Sequence, residues 1–311
     1  MGRTAFLFPG QGAQKAGMGR DFHAAFPVAR ETFAAAGAAL GWDVAAKCFD
    51  GPQAELDRTA VSQPAILTVG AAILRVVEQE APGLWRSCEA VAGLSLGEYT
   101  ALAAADALDF ADAVRLIQLR GRYMEEACAE RRGAMTSVLG LDGEAVKQLC
   151  AAHGEGAVWA ANFNSPGQVV ISGDAEKIKR VAEACVAAGA KRAVPLAVAG
   201  AFHTPLMQSA ADKLRPELAR APFRPAARPV VANVNAAYVT APEAVRSGLA
   251  SQVTSAVLWQ QSMERLLADG YTRFVEVGPG NVLSGRLRRI GREAEAISIA
   301  DVAALEKVRT L

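Results

Sequence analysis

Glu89-Ala-Val-Ala-Gly-Leu-Ser-Leu-Gly-Glu-Tyr99 is the stretch on which the reading of the chain turns. Glu89 to Gly93 is short and apolar, as a buried strand is, and an Ala-rich helical pattern begins just past Ser95. Glycines on both sides of the serine permit a tight strand-to-helix turn, which holds Ser95 in a strained backbone conformation with its hydroxyl exposed. A buried strand feeding directly into a helix is the unit from which parallel α/β sheets are built. Upstream, a strand at Thr4 to Phe8 runs into Pro9-Gly-Gln-Gly12, and helical patterns continue to about Glu80. One of these has Ser62 as its expected N-cap and Pro64 in its first turn. Downstream, a long helix is expected from Phe110 to Glu130.

From Ala134 the rhythm changes to strand (134–141), helix (143–153), strand (157–162), strand (168–172), helix (174–188), strand (191–198). This βαββαβ order is the ferredoxin-like pattern. The chain then returns to its first style, with a helix from about Pro205, a β-rich run from Pro229 to Asn235, a further helix, a strand at Phe274 to Val277 and a Gly-Pro-Gly turn into a helix. The expected fold class is α/β. A large domain with a parallel sheet core (1–131 and 200–311) carries an inserted ferredoxin-like small domain (132–199).

Composition narrows the functional classes. A chain of 311 residues that is 51% hydrophobic can bury a full core. Its 33 basic and 32 acidic side chains leave a net charge of +1 and no global field, so neither nucleic acid nor an anionic membrane is an expected partner. No apolar stretch is expected to reach the roughly 20 residues of a membrane span, and no secretory signal is expected. The five cysteines are scattered without a CxxC pair. They argue against a disulfide framework or a zinc site and point to a reducing cytoplasm. Gly10-Gln11-Gly12 is no dinucleotide fingerprint, because Lys15 stands where the third glycine would be, and no Gly-Lys-Ser/Thr occurs. Such a turn could still present a backbone N–H to a nearby site.

Ser95 is the candidate nucleophile. The helix N-terminus behind it offers a positive dipole end and free N–H groups, that of Leu96 among them, suited to a developing oxyanion. The competing reading makes Ser95 an N-cap, with Glu98 completing a capping box. A nucleophilic serine needs a base, and there are three histidines, His23, His153 and His203. His203, in Gly200-Ala-Phe-His-Thr-Pro205, lies in a loop where the chain re-enters the large domain, and such junctions collect active sites. Winding the Phe110 helix at about 100° per residue places Arg120 inside the apolar arc, between Leu116 and Ala113. A guanidinium there serves a substrate carboxylate, a buried salt bridge, or snorkels to the helix edge.

Phe8-Pro-Gly-Gln-Gly12, Gly93-Leu-Ser-Leu-Gly-Glu-Tyr99, Arg120-Gly121, Asn162-Phe-Asn-Ser-Pro-Gly-Gln168, Ala201-Phe-His-Thr-Pro-Leu206 and Glu276-Val-Gly-Pro-Gly280 occur in this order. As a set they resemble the malonyl-CoA:acyl-carrier-protein transacylases, which include fatty-acid-synthesis enzymes and discrete acyltransferases that serve polyketide synthases. The resemblance spans the chain to about residue 292. It implies a hydrolase-like α/β domain with a ferredoxin-like insertion, Ser95 as nucleophile and His203 as base. It also implies an oxyanion hole from the N–H groups of Gln11 and Leu96, Arg120 on the malonyl carboxylate, the Gln252 carbonyl orienting the histidine, and Phe202 in the acyl pocket. The implied substrate is malonyl-CoA and the implied partner is a phosphopantetheinylated acyl carrier protein, with no bound cofactor, no metal and a monomeric enzyme.

The chain departs from the family at Leu94, where a histidine is usual. Asp106, Asp109, Asp112, Asp142 and Asp174 lie between Ser95 and His203, but none is an obvious third member, so a Ser-His dyad is expected. Arg286 to Arg292, Arg131-Arg132 and Lys191-Arg192 are candidate faces for an acidic carrier, against the plainer reading of solvated surface. A serine hydrolase or acyl-thioesterase and a non-catalytic carrier-binding module remain as rival functions.

Overall fold

The apolar run after Gly2 forms β1 (Arg3–Phe8). Its side chains alternate, with Phe6 and Phe8 in one core and Ala5 and Leu7 in another. A strand buried on both faces must be covered on both, as the central strands of a parallel sheet are. The remaining strands are β2 (Cys88–Gly93), β3 (Gly133–Leu139), β4 (Val158–Ser165), β5 (Gln168–Asp174), β6 (Arg192–Pro195), β7 (Val230–Val231), β8 (Tyr238–Val239), β9 (Tyr271–Val277) and β10 (Glu295–Ile299). The computed structural model describes residues 2–198 and 200–309. The outer limits expected for the two domains, at residues 1, 199 and 311, fall outside them.

β10, β9, β1, β2, β7 and β8 form a six-stranded sheet in that order. Its pairings are parallel except at the β7–β8 edge, which is antiparallel. A separate four-stranded sheet has the order β4-β5-β3-β6, antiparallel throughout. The helices Gly143–His153 and Lys177–Ala187 pack on it, which realises the βαββαβ order. The α/β class is as expected. β8 and β10 were not anticipated, and of the run from Pro229 to Asn235 only Val230–Val231 pairs as a strand.

The helix Thr59–Glu80 corrects two expectations. It starts at Thr59, so Ser62 is no N-cap and Pro64 lies inside the helix. Burial against neighbouring elements sustains a helix across a proline that propensity alone would place at its start. By length and apolar composition this helix also reaches what a membrane span requires, contrary to the expectation. It is the central core helix, with Ser62 to Leu74 buried throughout. Against it lies the helix Phe110–Glu130, and Gly121 sets the contact: a Cβ there would stand 2.7 Å from the Thr59 carbonyl oxygen. That close crossing brings the Gln63 side chain onto Arg120.

The smaller sheet is also tied, away from the chain crossings, to the segment at Val257, which lies outside both sheets. The Phe163 N–H donates to the Val257 carbonyl at 2.9 Å and the Val257 N–H to the Ala161 carbonyl at 2.8 Å. The β2 turn is equally tight, because Gly97 lies against the carbonyl oxygen of Phe8, with no room for a side-chain carbon. Gly97→Ala is expected to destabilise the protein by about 3 kcal/mol, the upper range for overpacking. Urea unfolding of wild type and variant measures it, and an unchanged midpoint would rule out the close approach.

Candidate active site

Where β2 runs out, Ser95 takes φ 54°, in the left-handed region that costs a non-glycine residue energy. A side chain from far along the chain holds it there. The Ser95 N–H donates to Asn233 Oδ1 at 2.6 Å, and Asn233 Nδ2 donates to the Gly93 carbonyl at 2.7 Å. This overturns the capping-box reading. The helix Gly97–Ala104 has no side-chain cap, and Glu98 does not return to the Ser95 N–H. Freed from capping, Ser95 Oγ lies 2.8 Å from His203 Nε2.

His203 also has a positive φ, 61°, in the turn before Pro205–Met207. Its Nδ1 is 2.9 Å from the Gln252 carbonyl oxygen. A carbonyl only accepts, so Nδ1 carries the proton and Nε2 presents a lone pair to the serine hydroxyl. Burial, followed by the nearby Arg120 charge, lowers the imidazole pKa to about 4, against the opposing pull of backbone hydrogen bonds. The ring is therefore neutral at pH 7. The other histidines lie elsewhere. His23 stands edge-on to Phe33 and Phe49, and His153 is exposed at a helix end. Asp109 and Asp112 pair with Arg224 and Arg115, and Asp142 and Asp174 accept backbone N–H groups at helix starts.

Arg120 is 1% exposed. Its Nη1 donates to Gln63 Oε1 at 2.7 Å, and its Nη2 donates to Gln252 Oε1 at 2.9 Å and to Ser95 Oγ at 3.1 Å. Its Nε has no partner. The salt-bridge and snorkelling alternatives both fail, since its partners are neutral and the guanidinium is buried. A buried cation held by amide oxygens retains an unmet demand for an anion, and it is aimed at the serine oxygen.

Glu98, Asn233 and Gln63 went unnoticed as site residues in the sequence. Glu98 is buried, and its Oε2 accepts the Gln252 side chain at 2.7 Å and the Asn233 N–H at 3.1 Å. Gln252 Nε2 also donates to the Ser95 carbonyl at 3.0 Å. Burial raises the Glu98 pKa to about 7, although the Gln252 and Asn233 hydrogen bonds and the Arg120 charge pull it down. Gln63 carried a readable signal, a polar side chain in an otherwise apolar helix. Asn233 carried none.

Ser95 and His203 open into a cleft of about 370 Å³. Gln11 and Phe202 line it, and among the described residues no acceptor takes the N–H of Gln11 or of Leu96. Leu94 packs in the apolar cluster beneath β1 and lines the cleft, where the resemblance anticipates histidine. Of the basic segments, Arg131, Arg132, Lys191, Arg192, Arg288, Arg289 and Arg292 are exposed, but Arg286 turns into the cleft. Among the described residues no cluster of three or more His, Cys, Asp or Glu is placed to hold a metal.

A strained serine at a strand-to-helix turn, a histidine on its hydroxyl and a six-stranded α/β sheet beneath them define a hydrolase-like acyl-transfer architecture. Residues 5–309 match the family described as acyl transferase domain, and the chain belongs to that family of acyltransferases. It is 47% identical over 294 residues to the malonyl CoA-acyl carrier protein transacylase of Escherichia coli K12, covering 93% of each chain. To the enzyme of that name from Bacillus subtilis it is 40% identical over 308 residues, covering 98% of this chain and 96% of the relative. Two solved structures superpose with a TM-score of 0.94. One is a malonyl-transacylase in complex with its type II PKS acyl-carrier protein, 42% identical with 98% of each chain covered. The other is the acyl carrier protein S-malonyltransferase of Vibrio cholerae, 41% identical, covering 98% of this chain and 99% of that one.

The two buried titrating groups act on stability with opposite signs. Glu98, raised from 4.5 to about 7, keeps a proton that the unfolded chain has lost, so its contribution falls as pH rises through that window. His203, lowered from 6.5 to about 4, refuses a proton that the unfolded chain takes up, so its contribution falls as pH drops. In Glu98→Gln the first effect is removed. The stability difference, variant minus wild type, should then climb by up to about 1.4 kcal/mol per pH unit between about pH 4.5 and 7. Urea unfolding across this range measures it, and a pH-independent difference would contradict a buried proton on Glu98.

Proposed function

We propose that the protein transfers a malonyl group from malonyl-CoA to the phosphopantetheine thiol of an acyl carrier protein, by a ping-pong route through a malonyl ester on Ser95. One observation carries this reading: Ser95 Oγ lies 2.8 Å from His203 Nε2 and 3.1 Å from Arg120 Nη2. A base and a carboxylate-binding cation meet at one nucleophile. An acyl group bearing a carboxylate two bonds from its carbonyl places that carboxylate within reach of the guanidinium.

His203 takes the Ser95 proton as Oγ attacks the thioester carbonyl. The oxyanion is received by the N–H groups of Gln11 and Leu96. Collapse expels the CoA thiolate, which takes the proton from His203, and leaves the ester with its carboxylate on Arg120. The carrier thiol then gives its proton to His203 and attacks the ester, and Ser95 recovers the proton as it leaves. The Gln252 carbonyl keeps the imidazole in the tautomer both half-reactions need. Phe202 bounds the acyl pocket, in keeping with a small unsubstituted malonyl group. One thioester replaces another, so the exchange is near balance and needs neither nucleotide nor metal. The names of the curated relatives and the carrier-bound structure support the choice of substrate and partner.

The division at residues 132–199, a monomeric state and a cytoplasmic location belong to the same proposal. Supporting the last, all five cysteines are free and four are buried.

Intact-mass measurement after incubation with malonyl-CoA or acetyl-CoA tests the proposal. A malonyl adduct is expected that is absent in Ser95→Ala and moves to added carrier. Rapid release of free malonate without carrier would favour a hydrolase, and an inert Ser95 a carrier-binding module. Arg120→Ala is expected to lower the preference for malonyl over acetyl about 100-fold, the worth of about 2–3 kcal/mol for a buried charge-assisted contact. Unchanged selectivity would make the arginine structural.

A further inference from the structure

The helix Val282–Ile290 begins against Glu276, whose carboxylate accepts the N–H groups of Leu283 at 3.0 Å and Ser284 at 2.8 Å, with the Ser298 hydroxyl at 3.2 Å. That acid is fully engaged. Arg286, one turn along, is different. It lines the cleft that holds Ser95, its Nη1 is buried without a hydrogen-bond partner, and among the described residues it forms no ion pair. Burial lowers its pKa to about 10, with the distant attraction of Glu276 opposing and the charge of Arg289 assisting. It is still a cation at neutral pH. Its neighbours Arg288 and Arg289 are exposed, and Arg289 reaches outward to Gln168.

A half-buried guanidinium in a binding cleft, with one nitrogen cut off from water and from any partner, is costly unless an anion arrives. The acyl carboxylate is already matched by Arg120. The pantetheine arm behind the thioester carries two neutral amides, and the first negative group along it is its phosphate. Asn162 and Asn164 of β4 enter the same cleft, and the Asn164 Oδ1 atom is also buried and unpartnered, as suits the wall facing the amides.

We propose that Arg286 binds the phosphate that both substrates carry on the pantetheine arm: the diphosphate of CoA during loading and the phosphodiester of the carrier during transfer. This rests on the malonyl-transfer reading and adds to it a substrate contact that the sequence had assigned to an exposed docking face.

The test compares malonyl-CoA with the malonyl thioester of pantetheine, which lacks the phosphate. The ratio of their kcat/KM values is expected to fall about tenfold or more in Arg286→Leu, through KM, with Arg286→Lys keeping part of it. Leucine also removes a half-buried charge with an unpartnered nitrogen, so the Tm of the ligand-free variant should not fall, which separates a lost contact from a damaged fold. Discharge of the malonyl-enzyme to holo-carrier or to free pantetheine repeats the comparison for the second half-reaction. A loss confined to loading supports the contact and assigns it to the CoA phosphates, and one confined to transfer supports it and assigns it to the carrier. Equal losses with phosphate-bearing and phosphate-free partners, or an unmoved ratio, overturn the assignment. Wild-type protein that loads malonate from neither thioester would sink the malonyl-transfer reading itself. Wild-type loading from both, with the ratio unmoved in Arg286→Leu, sinks only the role of Arg286.

Discussion

One carboxylate oxygen, Glu98 Oε2, receives the Gln252 side chain at 2.7 Å and the Asn233 backbone at 3.1 Å, and through these two hydrogen bonds it reaches the other members of the site. Asn233 fixes the backbone of the Ser95 turn at both ends. Gln252 offers its carbonyl to His203 and its amide oxygen to Arg120. The serine hydroxyl, the imidazole and the guanidinium come from three separate segments, and a buried acid three residues past the serine sets their register. A buried acid retained at such expense suits a role in positioning better than one in stability, since an apolar replacement of similar shape often stabilises a fold.

The charge arrangement follows the same logic. Arg120 is surrounded by amide oxygens in place of carboxylates, and Glu98 stands one residue removed behind Gln252. A direct Arg–Glu pair would have neutralised the guanidinium and left nothing for a substrate anion. Interposing Gln252 keeps the cation hydrogen-bonded and oriented without satisfying its charge. Burial first, and this uncompensated charge second, lower the pKa of His203 and keep its Nε2 unprotonated.

The sequence disclosed what local pattern encodes. The turn at Ser95, the long Arg120 helix and the βαββαβ succession each depend on neighbours within a few residues, and each appears within a few residues of its expected bounds. What escaped was set by tertiary contact. Asn233 lies 138 residues from the N–H it accepts, and Gln252 lies 154 from Glu98. No periodicity links such pairs. Ser62 and Pro64 have the chemistry of a helix start, but packing extends the helix back to Thr59. Arg286 sits in a basic run that looks like a surface strip, and only the direction of its helix face separates it from Arg288 and Arg289.

The pair of backbone hydrogen bonds between β4 and Val257 bears on how the cleft admits its ligands. Asn162 and Asn164 flank that junction and form one wall, and the helix bearing Arg286 contributes to another. Swinging the smaller sheet away about its two chain crossings would exchange both hydrogen bonds for bonds to water, a net cost of about 0.5–1.5 kcal/mol for each. The bridge thus acts as a crosspiece that resists widening of the cleft, and a ligand that needs a wider opening must offset its loss with binding energy of its own.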